Sequence, residues 1–306
     1  MRLFRQAFSL FTLSLMGQPE RLSLIVFDLQ AHSIHSIDQA GMAFFYMEGE
    51  SLPAGLSVFF SSFASVLVFG KSRGDLLAEN LQRAGAKQVI LLPSFPPEGL
   101  KVHAADYLVD SLKASGFEGE NLFSPLRPPK DAVSLARGFP VNLGWKKGDR
   151  FLAIHPGSGS PAKNWSPENF ARVADRVSKR AKVLLISGPA NDGVEEIRRA
   201  LRKTDTFVAD SLSLIQLAGL LQTGTAYLGN DSGITHLAAA LGLPTVAIFG
   251  PTDPAVWGPQ GLEVRILYEQ ISCSPCSSET RSGCSRQCLE TIGPDRVIET
   301  LSPLIG

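Results

Sequence analysis

Residues 225–258, TAYLGNDSGITHLAAALGLPTVAIFGPTDPAVWG, constrain the fold of this chain more than any other stretch. Their apolar pattern predicts a strand over 225–229, a helix over 234–241 and a second strand over 244–249. The polar and glycine residues at 230–233 predict a sharp turn between the first strand and the helix. A strand-turn-helix-strand unit of this kind is typical of α/β proteins.

The turn before the helix has the chemistry of an anion site. Asn230 or Asp231 is a candidate N-cap, while Ser232 and Gly233 expose backbone N–H groups that the first helical turn leaves without partners. The helix dipole adds partial positive charge there, and His236 follows within the first turn. Taken alone, the pattern slightly favours the plainer interpretation, in which Asp231 only caps the helix and His236 is a satisfied polar residue.

A second stretch, FLAIHPGSGSPAKNW at 151–165, runs from an apolar strand into a turn of small residues. Gly157, Ser158 and Gly159 allow a ligand to approach the backbone closely, and the hydroxyl of Ser158 is a donor. Lys163 supplies a compact positive charge that suits a phosphate. The alternative is an ordinary strand-to-helix turn with a solvated lysine. The stretch is not a P-loop, because the G-x-x-x-x-G-K-[ST] spacing is missing.

Three motifs, HPGSGSPAKNW, NDSGITHLAAALG and FGPTDPAVWGP, together resemble glycosyltransferase family 9, the ADP-heptose:lipopolysaccharide heptosyltransferases. They stand in the family's order and spacing. The resemblance implies an α/β fold of the GT-B type, with two Rossmann-like doubly wound domains facing each other across a cleft. We expect an N-terminal acceptor-side domain over 1–135 and a C-terminal nucleotide-sugar-binding domain over 136–306; a chain of 306 residues is long enough for both.

The same resemblance implies a function. A heptose, or a related sugar, would move with inversion from an ADP-sugar such as ADP-heptose to the inner core of lipopolysaccharide, without a metal or another cofactor. The protein would be cytoplasmic, with peripheral contact at the cytoplasmic face of the inner membrane. The residues expected to bind the diphosphate of the nucleotide sugar are Ser158, Gly159, Lys163, Asp231, Ser232, Gly233 and His236.

The expected general base is not found. The resemblance implies an aspartate in a G-x-x-G-D loop after the first strand, but no such pattern stands near the start, MRLFRQAFS, which aligns best with the end of the following helix. The catalytic residue is therefore unassigned. A start codon upstream of Met1 is the favoured explanation, since loss of a first strand would uncover apolar surface. A truncated relative that binds without transferring sugar, or a substitute acid such as Asp28 or Asp38, are the alternatives.

A second departure concerns Ile215. Some heptosyltransferases place an acidic residue at about this position to help hold the nucleotide, and an isoleucine cannot do so. The assignment of adenosine as the nucleoside of the donor, and with it the assignment of heptose as the sugar, therefore stays open. A GT-B enzyme that uses another nucleotide sugar is therefore one alternative, and a non-catalytic nucleotide-sugar-binding homologue is another. An NAD-dependent oxidoreductase is disfavoured, because the G-x-G-x-x-G fingerprint and its acidic ribose partner are absent.

The composition argues against some classes of binding partner. The 29 Lys and Arg residues balance 29 Asp and Glu residues, which argues against a nucleic-acid-binding protein. No window has the length of a membrane-spanning helix. The start of the chain, two arginines before an apolar run, resembles a secretory signal peptide but lacks a convincing cleavage site, so a cytoplasmic protein is favoured.

All four cysteines, Cys273, Cys276, Cys284 and Cys288, fall in one short segment. The C-x2-C and C-x3-C spacings suit a zinc site, or two disulfides in an exported protein. We favour reduced thiols in a cytosolic protein and expect no metal.

The rest of the chain predicts further α/β elements. In the second half, alternation of strands and helices predicts a parallel sheet whose carboxyl edge gathers Ser158, Gly188, Ser211 and Asp231. Further strands are expected over 12–16, 65–70, 88–93, 151–155, 183–187 and 207–210, and helices over 20–30, 74–84, 103–114, 130–137, 167–179, 194–202, 214–222 and 294–301.

Overall fold

The computed structural model describes residues 11–49, 51–70, 74–118, 123–142, 144–146, 148–188, 193–201, 206–276 and 284–306. The chain divides into two compact units, Met1–Leu122 and Phe123–Gly306. The division between these units lies earlier in the chain than the domain boundary expected between residues 135 and 136. That boundary stays a prediction. The helix end that the resemblance placed in the first ten residues lies outside the described residues. None of the described helices is long and apolar enough to cross a bilayer.

The described strands of the first unit form two parallel pairs, β1 with β2 and β3 with β4. Phe45, Phe60, Leu77 and Leu81 form the centre of its core. A 3-10 turn at Met42–Tyr46 contributes Phe45 to this core. The strands are β1 Ser14–Gly17, β2 Ser33–Ser36, β3 Val66–Gly70 and β4 Val89–Pro93, and the helices are α1 Pro19–Ser23, α2 Val26–Leu29, α3 Ala54–Ser61, α4 Gly74–Arg83 and α5 Ala104–Ala114.

Most predicted elements of this unit are confirmed to within two residues. The single helix predicted over 20–30 is wrong, because the chain forms the separate short helices α1 and α2 there. Strand β2 was not predicted, since its sequence, SIHS, has one apolar residue and no strand-like run.

The second unit contains a six-stranded parallel sheet in the order β10-β9-β8-β5-β6-β7. Its central strands are buried throughout, which explains their continuous apolar sequences. The strands are β5 Phe151–His155, β6 Lys182–Ile186, β7 Thr206–Ala209, β8 Ala226–Asn230, β9 Thr245–Phe249 and β10 Val264–Tyr268. The helices are α6 Lys130–Asn142, α7 Pro167–Val177, α8 Val194–Ala200, α9 Leu214–Leu221, α10 Gly233–Ala240, α11 Pro254–Trp257, α12 Gln287–Glu290 and α13 Pro294–Ile305.

The predicted parallel sheet is confirmed, and β10 is an additional strand at its edge. His155 pairs with Gly229, and Asn230 pairs with Ile248, so β5, β8 and β9 end side by side. The turns that follow these three strands therefore meet at one edge of the sheet. These turns and the first turn of α10 carry the residues that the sequence assigned to anion binding.

Candidate functional site

Asn230, the last residue of β8, joins two of these turns. It is fully buried, and its Nδ2 donates to the carbonyl oxygen of Pro156 at 2.5 Å while its Oδ1 accepts from the N–H of Trp165 at 3.0 Å. One amide side chain thus binds both ends of the 156–165 turn. Lys163 lies within this turn.

The helix cap is Ser232, and the prediction of Asn230 or Asp231 in that role is wrong. Ser232 has extended backbone geometry, and its Oγ accepts from the N–H of Thr235 at 3.3 Å. Asn230 is still part of the strand, and the carboxylate of Asp231 turns away toward Lys163. Gly233 opens α10 and is exposed, and a Cβ added there would meet no atom within 4 Å. The N-terminal end of α10 is therefore open to a ligand at this residue.

Lys163, Asp231 and Thr252 form a compact polar cluster beside the helix terminus. The ammonium Nζ of Lys163 and the hydroxyl of Thr252 each lie 2.6 Å from Oδ2 of Asp231, and both donate to it. Nε2 of His236 lies 3.9 Å from the other oxygen, Oδ1, which is beyond hydrogen-bond length. The Asp231 side chain is 8% exposed and that of Lys163 is 22% exposed. The cluster is thus shielded at the carboxylate and open at the cation.

Burial alone would raise the pKa of Asp231. The His236 ring, the Lys163 ammonium and the Thr252 hydroxyl oppose this effect and together lower the pKa of Asp231 to about 2. Asp231 is therefore a carboxylate at neutral pH. Because an ammonium has three N–H donors, Lys163 can bond to Asp231 and to an anion simultaneously.

The low pKa of Asp231 predicts a pH-dependent part of the stability. Its pKa rises from about 2 in the fold to an ordinary value of 3.8 when the chain unfolds, so the contribution is complete above that value and disappears as the pH falls through 2. We expect the advantage of the wild type over Asp231→Asn in free energy of unfolding to fall by about 1 kcal/mol between pH 6 and pH 3. Urea unfolding of both proteins measures it, and a difference that does not change with pH would contradict the assignment.

The hydroxyl of Ser158 organises its own turn. It lies 2.7 Å from the carbonyl oxygen of Ser160 and 2.6 Å from Oδ1 of Asn164, and it accepts from the N–H of Ser160 at 3.2 Å. Gly159 is exposed, with open space where a Cβ would be. The described hydrogen bonds of Ser158 stay within this turn, so its contact with a phosphate, like that of Gly159, stays a prediction.

Sequence reasoning missed Thr252 and mistook the role of Asn230. Thr252 follows β9 within the FGPTDP motif, so its place just after a buried parallel strand was the signal that could have found it. Asn230 was considered only as a cap. Its buried position at the carboxyl end of β8 makes it a connector between turns.

Cys276 and Cys288 lie near this edge of the sheet, since both are close to the turn after β9. None of the four cysteines forms a disulfide, and Cys288 is buried. Burial raises the pKa of Cys288, with a further contribution from the neighbouring Cys276, Cys284 and Cys273. Among the described residues, no group of three or more His, Cys, Asp or Glu side chains is arranged to hold a metal ion. The expectation that no metal binds stays a prediction.

The sequence of this chain is similar to known heptosyltransferases. Lipooligosaccharide heptosyltransferase 2 of Campylobacter jejuni is 28% identical over 166 residues, which cover 52% of each protein. Lipopolysaccharide heptosyltransferase 1 of Pseudomonas aeruginosa is 32% identical over 134 residues, 44% of this chain and 38% of that protein. The matched part spans about half the length, or less, of these curated relatives.

Solved structures resemble a larger part of the chain. A family 9 glycosyl transferase from Veillonella parvula has a TM-score of 0.80 and 20% identity, covering 99% of this chain and 91% of its own. The E. coli ADP-heptose lps heptosyltransferase II has a TM-score of 0.74 and 18% identity, covering 99% and 92%. These similarities identify the fold as α/β of the GT-B type.

One family model matches this chain over residues 127–285, more than half of its length, and that model describes glycosyltransferase family 9 (heptosyltransferase). The match includes the turns after β5, β8 and β9. The chain belongs to glycosyltransferase family 9.

Proposed function

We propose that this protein is an inverting, metal-independent glycosyltransferase that moves a heptose, or a related sugar, from an ADP-sugar to the inner core of lipopolysaccharide. The observation that carries the proposal is the meeting of Lys163, Asp231 and the N-terminus of α10 at one edge of the sheet. Family membership and the names of the similar heptosyltransferases support the sugar and the acceptor.

The chemistry of a nucleotide-sugar donor fits this site. Its leaving group is a nucleoside diphosphate, which gains negative charge as the bond to the sugar breaks, so preorganised donors and positive charge favour the reaction. Lys163 would supply the charge, and the N–H groups at Ser232 and Gly233 would bind phosphate oxygens at the positive end of the helix dipole. His236, 43% exposed and beside Oδ1 of Asp231, would contact the diphosphate or the sugar. Asp231 would shape the sugar pocket.

A second candidate is a homologue that binds a nucleotide sugar without transferring it. It is favoured by one observation, that the contacts of Lys163, Asp231 and Ser232 suit the binding of a diphosphate but assign no group that would activate an acceptor hydroxyl. An assay of sugar transfer from ADP-heptose to an inner-core acceptor separates the two functions. Binding of ADP-heptose without transfer would select the second candidate.

Nucleotide preference gives a direct test of the donor. At a hundred times its dissociation constant, a ligand stabilises the fold by about 2.7 kcal/mol, which raises the melting temperature of a unit of this size by about 5 to 10 °C. We expect this shift with ADP and a much smaller one with UDP at the same concentration, measured by thermal unfolding. Equal shifts would remove adenosine from the proposal, which is the part that Ile215 leaves open, and no shift with either would overturn the diphosphate site.

The proposal includes the acceptor side. A cytoplasmic enzyme that meets a lipid-linked acceptor would touch the inner membrane peripherally, and the first unit exposes the apolar side chains of Phe44, Tyr46 and Met47. Phe45 and Phe60, which lie in the same aromatic runs, belong to the core. Co-sedimentation with vesicles of inner-membrane lipids, with and without a Phe44→Ser and Tyr46→Ser double change, tests this contact.

A further inference from the structure

Thr252 provides one of the two hydrogen bonds to Oδ2 of Asp231. It lies in the turn after β9, is 5% exposed, and donates to this oxygen at 2.6 Å. The Lys163 ammonium donates to the same oxygen at 2.6 Å. With Oδ2 held by two donors, Oδ1 is directed toward His236.

The turn that carries Thr252 is held on both sides. The hydroxyl of Ser274 donates to the carbonyl oxygen of Gly250 at 2.5 Å, and the N–H of Cys276 donates to that of Pro251 at 2.8 Å. On the other side, Asp253 caps α11 by accepting from the N–H of Ala255 at 2.9 Å. The Thr252 hydroxyl is therefore presented to Asp231 from a fixed backbone.

We propose that Thr252 is a positioning residue of this site, whose hydroxyl holds the Asp231 carboxylate and thereby sets how much of the Lys163 charge is available to an anion. An oxygen that already accepts from a hydroxyl is a weaker base and attracts the ammonium less strongly. Without Thr252, Asp231 would bind the Lys163 ammonium more strongly, and a diphosphate would gain less from the lysine. The link to a diphosphate rests on the proposed function, whereas the link from Thr252 to Asp231 does not.

The test compares Thr252→Val with Thr252→Ser, which keeps the hydroxyl, and with Thr245→Val. Thr245 is a matched control: it is fully buried in β9, the strand that precedes Thr252, and its hydroxyl donates to the carbonyl oxygen of Leu243 at 2.7 Å, away from Asp231. Two quantities are measured on the full chain. One is the dissociation constant for ADP by calorimetry, and the other is the protonation of the Asp231 carboxyl by 13C NMR.

We expect Thr252→Val to weaken ADP binding about tenfold, the effect of one hydrogen bond to a charged group. The same change should raise the pKa of Asp231 by about one pH unit, so that about half of the carboxyl is protonated at pH 3 against about a tenth in the wild type. Thr252→Ser and Thr245→Val should leave the dissociation constant for ADP, and the protonated fraction of the Asp231 carboxyl at pH 3, within about twofold of the wild-type values.

Two results would overturn the role of Thr252. One is an unchanged Asp231 titration in Thr252→Val, and the other is a loss of ADP affinity in Thr245→Val as large as in Thr252→Val. If the wild type itself does not bind ADP, the proposed function fails. In that case the titration of the Asp231 carboxyl still tests whether the Thr252 hydroxyl holds this carboxylate, because the titration needs no ligand.

Discussion

Replacing Lys163 with alanine is expected to slow sugar transfer about a hundredfold and to weaken the binding of ADP, because the leaving diphosphate would lose a charged donor. Lys163 is the cation of the cluster at the open end of α10, with 22% of its side chain exposed, and only one of its three N–H donors is needed for Asp231. Transfer rates and ADP titrations measure the effect. Lys179→Ala, at an exposed lysine in the turn after α7, is the control for a simple loss of surface charge.

The ion pair complicates this prediction, and a double-mutant cycle resolves it. Lys163→Ala also leaves the buried carboxylate of Asp231 without its cation, which would damage the site whether or not the lysine contacts a phosphate. In an Asp231→Asn background that carboxylate is gone. If Lys163 binds the diphosphate, its removal still weakens ADP binding by a similar factor there. If Lys163 only compensates Asp231, the loss disappears in this background, and its assignment to the phosphates is wrong.

Asn230→Asp is expected to lower the free energy of unfolding of the second unit by about 3 kcal/mol at neutral pH. The change replaces the donor Nδ2, which lies 2.5 Å from the carbonyl oxygen of Pro156, with an oxygen. Two hydrogen-bond acceptors then face each other at a fully buried position. A protonated aspartic acid can still donate to Pro156. The loss should therefore become smaller as the pH is lowered toward 5, and urea unfolding at several pH values measures it.

A second asparagine provides the control. Asn169 lies in the first turn of α7, where the helix dipole favours an added carboxylate, so Asn169→Asp should change stability by less than about 0.5 kcal/mol. If Asn230→Asp is tolerated as well as Asn169→Asp, the amide of Asn230 is not what holds the 156–165 turn. A large loss at Asn230 that comes with weaker ADP binding would tie the turn to the position of Lys163.

The sequence predicted the central strands of the six-stranded sheet well, because β5, β8 and β9 are short apolar runs buried on both faces, and such a run is recognisable without knowing its neighbours. Elements without such a run were missed or misjudged. The polar strand β2 is one example, and the break between α1 and α2 is another. The edge strand β10 begins with Val264 and Arg265 and is only partly buried, so its signal was weak.

The sequence by itself determined the alternation of strands and helices, and with it the carboxyl edge at which Ser158, Gly188, Ser211 and Asp231 would lie. Only the tertiary structure decided which side chains meet there. The Lys163 and Asp231 pair joins residues 68 positions apart, and Thr252 reaches Asp231 across 21 positions. Apolar periodicity is a local property of the chain, whereas a hydrogen bond between turns depends on the order in which strands pair, and the order β9-β8-β5 brings these turns together.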